Sequence, residues 1–324
     1  MKKIFYHLRF ILTQSSILVG GQAVMEGVMM RVPGAYATAV RDSKGIIHTS
    51  RHNFHSISEK FSFLQTPLLR GIVGLFESLK IGYSTLQWSA EISSEEEIIE
   101  SNKIVDFFLT LISILLALSL FFIAPIGLTS WLFEREQDAL GFNFIAGFFR
   151  VLFFITYLIL ISFMKDVQRL FQYHGAEHKA VYNFESGNEL SISNAQKFPT
   201  QHPRCGTSFL FIIMLVAILS FAILDSIVML YINELKVWMR LLLHIPFIPI
   251  ISGMGYEILK LTAKYRNNFF FLTLSKPGLW LQNITTKQPD DTQVEVAIKA
   301  LEEAFGDKLP KYTVGKKYVA EAIG

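Results

Sequence analysis

Four runs of mostly apolar residues constrain this chain more than any other feature of its sequence. They cover residues 107–132, 142–164, 207–231 and 237–256. An α-helix needs about 20 apolar residues to cross a bilayer, so each run is long enough to do so. Only 18% of the residues are charged, against about 25% in an average soluble domain. The sequence therefore predicts an α-helical integral membrane protein with about four transmembrane helices, in a membrane region spanning 107–264.

The basic residues predict which side of the membrane each connecting segment occupies. The loops after the first and third runs are short, whereas lysines and arginines collect before the first run and after the second and fourth. Because such residues stay on the cytoplasmic side, we expect a multi-pass protein of the cell (inner) membrane with both termini cytoplasmic. A net charge of +3 is too small to suggest nucleic acid. The expected partners are the lipid bilayer and other membrane proteins.

The remaining segments predict a small cytoplasmic α+β portion, built from an N-terminal β segment, the middle loop 165–206 and the C-terminal tail. The β-rich segment is 20–62, where AYATAVRDSKGIIHTSRHNF has two strand-like runs around DSKG, and QAVMEGVMM is a third. Residues 67–90 predict an interfacial amphipathic helix. The alternative is a fifth span, which would move the β segment to the other side. In the tail, 286–324, a helix is expected after Asp290.

The stretch QYHGAEHKAV in the middle loop carries the strongest chemical signal. In a helix continuing from the second run, His174, Glu177 and His178 lie at i, i+3 and i+4, on one face. Two imidazoles at this spacing can bind one divalent ion, and H-x-x-E-H is the inverzincin pattern. Glu177 would then act as general base. The alternative is a helix with two solvent-facing histidines.

A catalytic zinc needs a third protein ligand, and QHPRCGTSF offers candidates at the other end of the same loop. Cys205 as a thiolate suits zinc, the divalent metal we expect here, and His202 is a further candidate. Arg204 between them is placed to hold an anionic group. The alternative is that the segment forms a turn and that Cys205 is a small buried apolar residue.

A second constellation lies in GGQAVMEGVMMR. As one strand, this stretch places Glu26 on an apolar face with Val24 and Val28, where a carboxylate is costly unless it is paired or bound to metal. Glu26 is therefore either misplaced on this face by the assumed register or a site candidate, with Arg31 as its partner or as a contact for a substrate anion. The alternative is a structural salt bridge. Within the spans, Arg150 and Asp225 are expected to pair with each other.

The three motifs GGQAVMEGVMMR, YHGAEHK and HPRCGTSF occur in this order in a chain of predicted spans. Together they resemble the YqhQ-like bacterial membrane proteins, a domain-of-unknown-function family with plastid relatives, often described as predicted metal-dependent enzymes. The resemblance extends from about Gly20 to Phe305. It implies a polytopic membrane protein with a metal site at His174 and His178, and it supplies no substrate.

We therefore expect a cytoplasm-facing, metal-dependent enzyme of hydrolase type. His174 and His178 would bind the metal, Glu177 would be the general base, and Cys205, His202 or Glu26 would complete the site. The alternative is a non-catalytic protein that binds metal for structure or sensing, or an assembly or regulatory factor for other membrane proteins. A transporter ranks third, because the spans contain few polar residues for a translocation path.

Overall fold

The computed structural model describes residues 16–17, 19–94, 103–132, 139–203, 205–232, 235–265, 268–313 and 319–320. Within them the chain is mostly helical, with a small antiparallel sheet near its N-terminus. The strands are β1 Ser16–Ile17, β2 Gly20–Val24, β3 Gly27–Val32, β4 Ala35–Arg41, β5 Ile47–Asn53 and β6 Val319–Ala320. The helices are α1 Ile57–Lys60, α2 Leu69–Ser93, α3 Lys103–Leu118, α4 Ala124–Leu132, α5 Ala139–Ile161, α6 Lys165–Ser186, α7 Ile192–Ala195, α8 Gly206–Met229, α9 Val237–His244, α10 Ile248–Lys264, α11 Phe269–Thr285, α12 Asp291–Phe305 and α13 Leu309–Thr313.

The sheet has the order β2-β3-β4-β5, with every neighbouring pair antiparallel, and β1 pairs separately with β6 in parallel. The predicted hairpin around DSKG is confirmed as β4 and β5. Its turn forms because the Asp42 carboxylate accepts hydrogen bonds from the amides of Lys44 and Ile46, at 2.9 and 2.8 Å. Gly45 takes a φ of +84°, which a residue without a Cβ adopts at little cost.

The prediction that Glu26 lies on the apolar face of a single strand is wrong. QAVMEGVMM folds back on itself as the hairpin of β2 and β3, and Glu26 lies in the tight turn with a φ of +50°. Val24 pairs with Gly27 across this turn. The alternation of apolar residues continues on both sides of the turn, so the pattern alone resembles one unbroken strand.

A packed core joins the sheet to α6 and α12. Alternation along β3 turns Val28 and Met30 toward these two helices, where they meet buried residues such as Tyr173 and Leu301. The opposite face of β3, with Met29 and Arg31, is turned toward α2. The sheet is therefore covered on both faces, and α6, which carries the H-x-x-E-H motif, is fixed against it.

Helix α2 presents its polar and small residues to the protein and its apolar residues outward. Gln22 of β2 donates to the Gly82 carbonyl and the Thr85 hydroxyl, at 3.2 and 3.0 Å, and the Met25 amide donates to Ser89. The outward stripe of large exposed side chains consists of Phe76, Leu79, Tyr83 and Leu86. A helix on a water-exposed surface has the reverse arrangement. This inverted pattern is what a helix lying in a membrane interface requires.

Four helical segments among the described residues are long and apolar enough to cross a membrane. They are Phe107–Leu132, Ala139–Ile161, Gly206–Met229 and Val237–Thr262. A π-helical turn, Ser119–Ile123, lies within the first, and a 3-10 turn, Ile245–Phe247, lies within the fourth. Helix α2 is not among them. The predicted count of four apolar helices and the N-terminal sheet are therefore confirmed.

Helix α11 was not predicted, although it positions the middle loop. It packs along α8, and Gly278 allows a close approach, because a Cβ there would lie 2.7 Å from the Ser208 side chain. One turn further on, Gln282 lies buried against the segment that leads into α8. The tail helix expected after Asp290 runs as α12, and Asp290 is its N-cap in a capping box with Gln293.

The expected pairing of Arg150 with Asp225 is also wrong. Asp225 accepts hydrogen bonds from Asn143 and Arg240, and it bonds His244 Nε2 at 2.8 Å. Arg150 lies over the rings of Phe122 and Phe221 instead. Arg240 lies in the next apolar helix after Asp225 and contacts both the carboxylate and the Phe142 ring. Its guanidinium carbon is 3.9 Å from the centroid of that ring.

Candidate metal centre

The H-x-x-E-H motif lies on its own helix rather than on a continuation of the second span. Helix α5 ends at Ile161 and α6 begins at Lys165, after a short break. The expected spacing within the motif is kept, so His174, Glu177 and His178 share one face of α6. Glu177 and His178 are buried and His174 is partly buried. The alternative of two solvent-facing histidines does not describe this arrangement.

Cys205 joins the two histidines from the start of α8, where it is the N-cap residue. One ligand atom from each of His174, His178 and Cys205 lies within 4.8 Å of the other two. His174 Nε2 is 3.2 Å from Cys205 Sγ. In a tetrahedral zinc site the two atoms would be about 3.6 Å apart, given the usual Zn–N and Zn–S lengths. The three groups thus need only small movements to bind one ion.

The outer nitrogen of each histidine is bonded to a backbone carbonyl. His174 Nδ1 lies 2.8 Å from the Thr285 oxygen, and His178 Nδ1 makes a short contact with the Thr200 oxygen. Because a carbonyl only accepts, each Nδ1 must carry a hydrogen, which leaves Nε2 for the centre of the cluster. Metal-binding histidines in proteins are oriented in this way.

Glu177 lies beside these donors and against the N-terminal sheet. Its Oε2 is 3.4 Å from His178 Nε2. Its Cγ packs on Gly21 so closely that a Cβ at Gly21 would lie 3.2 Å away. The glycine pair that begins β2 therefore allows the strand to approach the motif. Residues of β2, of the motif and of the start of α8 enclose a cavity of about 30 Å³. This volume is more than the ~10–15 Å³ that one water needs.

The cluster favours a thiolate at Cys205. Desolvation by burial raises the pKa of this thiol, but the charges and hydrogen bonds of His174 and His178 outweigh it and lower the pKa well below its usual range. Desolvation likewise lowers the pKa of His174, whereas Cys205, Glu177 and the Thr285 carbonyl together raise it to about 9. A divalent ion between these two groups would take the place of a proton there, since metal ligation requires a thiolate and a neutral imidazole.

His202 lines the same cavity without joining the three donors. Its Nε2 is 3.7 Å from the Glu185 carboxylate, and its ring packs on Tyr182 with centroids 4.4 Å apart. Gln282 binds the His202 backbone at both ends, since its Oε1 accepts from the amide at 2.7 Å and its Nε2 donates to the carbonyl at 2.9 Å. His202 is thus held at the edge of the centre.

The other predicted site residues lie elsewhere. Glu26 pairs with Arg169 and accepts from the Tyr173 hydroxyl at 3.2 Å, so the salt bridge considered for Glu26 has Arg169 as its partner rather than Arg31. Arg31 lies over the Phe54 ring, 4.3 Å from its centroid, and faces a larger neighbouring cavity. Arg204 lies outside the described residues.

Sequence reasoning missed the groups that orient the histidines. The carbonyls of Thr200 and Thr285 have no sequence signal, because every residue carries one. Gln282 had a detectable signal, since it is a polar residue in the apolar run LWLQNIT, and a buried amide must find partners.

Comparison with known proteins places the chain in a family. Residues 66–307 match the family described as "Protein of unknown function (DUF1385)", and the chain belongs to it. A relative is the "Uncharacterized protein YqhQ" of Bacillus subtilis (strain 168), 32% identical over 305 residues that make up 88% of this chain and 91% of the relative. The predicted resemblance to the YqhQ-like family is thereby confirmed. No solved structure matches the chain significantly.

Proposed function

We propose that this protein is a metal-dependent membrane enzyme of hydrolase type, with its active site on the cytoplasmic face of the cell membrane. The observation that carries the proposal is the convergence of His174, His178 and Cys205 beside the Glu177 carboxylate, with both imidazoles oriented by carbonyls. Such a set of oriented donors around a cavity is what a metal site requires, and a structural core does not need it.

The donor set fits zinc. Two imidazoles and one thiolate are zinc ligands in proteins, and the thiolate disfavours magnesium or calcium. Three protein ligands leave the fourth position of a tetrahedral ion for water or substrate, as in catalytic sites. The cytoplasmic location that is part of this proposal would keep Cys205 reduced and able to bind zinc.

Glu177 is the proposed general base. When bound, a divalent metal supplies Lewis-acid activation of a water and of the substrate oxygen. Glu177 takes the proton from the attacking water as the new bond to carbon or phosphorus forms. It then delivers that proton to the leaving group as the scissile bond breaks. The burial of Glu177 beside His178 keeps its carboxylate oriented toward the donors.

A second candidate uses no metal, and the 3.2 Å separation of His174 Nε2 and Cys205 Sγ favours it. Here Cys205 would bond to an acyl carbon while the leaving group departs with the proton held by His174. Water would then release the acid from the thioester and restore the thiol. Such a mechanism leaves His178 without a chemical role.

Metal content tests the proposal. We expect about one zinc per chain in the purified wild type after zinc loading, measured by plasma mass spectrometry. His178→Ala and Cys205→Ala should lose it, whereas Glu177→Gln should keep it. His55→Ala is the matched control, because His55 is an exposed histidine beyond the centre. A loaded wild type without metal, or equal metal in His178→Ala, would overturn the proposed site.

Assays of ester hydrolysis distinguish the metal-dependent mechanism from the metal-free one and from the non-catalytic alternative. We expect the wild type to release p-nitrophenol from p-nitrophenyl carboxylate or phosphate esters, and Glu177→Gln to lose this activity while keeping its metal. Activity that survives a chelator but not Cys205→Ala would favour the metal-free mechanism. Metal binding without turnover of either ester would favour the non-catalytic alternative, a metal-binding assembly or regulatory factor.

A further inference from the structure

A second cavity, of about 480 Å³, lies next to the candidate metal centre. It is enclosed by β2 and β3, by α2, by the beginning of α8 and by α10. Its volume is within the range of about 300–1,000 Å³ that small-molecule sites occupy in proteins.

The two cavities share three lining residues, all glycines, which are called the glycine boundary below. Gly20, Gly21 and Gly206 line both of them. Gly21 contacts Glu177 on the side of the metal centre, and a Cβ at Gly206 would meet open space. None of these three residues has a side chain that could fill the space between the larger cavity and the donors.

The larger cavity is mostly apolar, with Gln22, Arg31, Ser78 and Tyr256 as its polar side chains. Its walls include Leu75, Phe209, Ile213 and Leu259. Among the described residues that line it, Arg31 is the only one with a charged side chain. Arg31 is also the cross-strand neighbour of Gly20, so its positive charge lies beside the glycine boundary.

Arg31 has capacity for a ligand. Within the described part of the chain its guanidinium makes no hydrogen bond or ion pair, and its close contact is the Phe54 ring. The two acidic residues near it have other partners, since Glu77 accepts from the Ser56 hydroxyl and the Ile57 amide and Glu59 contacts His55. A planar guanidinium with free donors binds phosphate and carboxylate groups well.

The cavity opens where lipid is expected. Two residues of its wall, Leu79 on α2 and Leu210 on α8, are 60% and 49% exposed. Leu79 belongs to the apolar outward stripe of α2, and Leu210 lies in the first turns of a candidate span. A molecule entering between them would come from the bilayer interface.

We propose that this cavity binds an anionic single-chain lipid, with its anionic group on Arg31 and its hydrocarbon chain along α8 and α10. The next step rests on the proposed function. The polar linkage next to the anionic group of the lipid would then meet Glu177 and the metal across the glycine boundary. The substrate class is therefore an amphipathic lipid anion rather than a soluble metabolite or a peptide.

Lipid binding tests this inference in full-length protein held in phosphatidylcholine nanodiscs. The probe is a fluorescent lysophosphatidic acid, and the measurement is its dissociation constant. Arg31→Gln should weaken binding about tenfold or more, which is the usual effect of removing a charge-assisted hydrogen bond. Leu79→Trp should also weaken binding of the probe, because the larger side chain would fill the opening of the cavity beside Leu79. Lys80→Gln and Leu86→Trp are matched controls on α2 outside the cavity and should bind as the wild type does.

Competitors define the ligand class. An uncharged monoacylglycerol should bind at least tenfold more weakly than the probe, and millimolar inorganic phosphate should not displace it. Displacement by phosphate, or equal affinity of Arg31→Gln and wild type, would overturn the inference. Should Leu79→Trp fail to fold, Ser78→Trp, at another exposed position lining the cavity, replaces it.

The failure of this inference can be told apart from failure of the proposed function. His178→Ala should lose metal but still bind the probe. A protein that binds the probe without binding metal supports the lipid site and refutes the metal enzyme. A protein that binds metal and ignores the probe refutes only the lipid site.

Discussion

Two buried polar clusters in this molecule both contain histidine and an anionic partner, but they are completed in different ways. In the candidate spans, both oxygens of Asp225 are taken by Asn143, Arg240 and His244. The ring of His244 is stacked on Phe221, 3.9 Å away between centroids. The Asp225 carboxylate is therefore fully used within this cluster, although Asn143 Oδ1 and His244 Nδ1 have no hydrogen-bond partner among the described residues.

The cluster on α6 and α8 is open at its centre. His174 and His178 are each fixed from outside by a carbonyl, and their inner nitrogens and Cys205 face a cavity. Their inner nitrogens contact Cys205 and Glu177, which are groups that can bind a metal together with them. This difference is the one we expect between a cluster that stabilises the fold and one that binds a metal, as proposed for the second.

The largest expected effect comes from breaking the Asp225 cluster. Asp225→Ala leaves the buried charge of Arg240 without its carboxylate, and such a loss costs about 3–5 kcal/mol. Thermal unfolding in detergent should show a marked drop, whereas metal per folded chain should stay unchanged. Glu91→Ala removes an exposed carboxylate and is the control. A stable Asp225→Ala protein would contradict the structural role of the cluster.

Metal removal acts on the open cluster. With zinc at about 100 times its dissociation constant, the bound ion contributes about 2.7 kcal/mol to the free energy of unfolding. A chelator should therefore lower the melting temperature of wild type and of Asp225→Asn alike, and should leave His178→Ala unaffected. An equal response of His178→Ala would show that the chelator acts elsewhere.

A smaller effect should follow from loosening the support of the open cluster. Gln282→Leu removes both hydrogen bonds to the His202 backbone and one to Ser208. The segment that carries Thr200 and Cys205 then loses its buried hydrogen bonds to Gln282 of α11, and metal affinity should fall about tenfold, the lower end of such effects. Gln201→Leu cuts an exposed bond between the same segments and should change affinity little. Equal affinities in the two variants would contradict this role for Gln282.

The smallest expected effect comes from removing the N-cap of α12, Asp290, which belongs to neither cluster. This variant serves as a reference for the stability measurements. Partial burial raises the pKa of Asp290, but hydrogen bonds from Thr292 and the Gln293 amide outweigh it and lower the pKa. The cap is therefore stabilising above the unfolded pKa of about 3.9 and loses this contribution as pH falls through the folded value. Asp290→Ala should cost about 1 kcal/mol near neutral pH. The cost should vanish in acid, and a pH-independent cost would contradict the assignment.

Much of the fold could be predicted because it depends on local patterns. The length of the apolar runs identified the four helices. The helical period placed His174, Glu177 and His178 on one face. The turn at Glu26 was missed because apolar alternation continues through it. Helix α11 was missed because its run is short and contains Pro277.

Within the site, long-range partners were the hardest to predict. Arg240 rather than Arg150 bonds Asp225 because packing of α5 against α8 and α9 decides which guanidinium reaches the carboxylate. Cys205 was a candidate from its position in the loop, but whether it meets His174 depends on how α8 begins. The roles assigned to these residues in metal binding and catalysis stay predictions until the metal measurements are made.

The attachment of His174 to the Thr285 carbonyl has a consequence for the order of events during synthesis. His174 leaves the ribosome more than a hundred residues before Thr285 does, and in the interval all of α8 to α11 must be made and placed. Until then the ring of His174 lacks the hydrogen bond that orients it. Tight metal capture at the proposed centre is therefore expected late, so metal occupancy would report that the membrane helices have finished assembling.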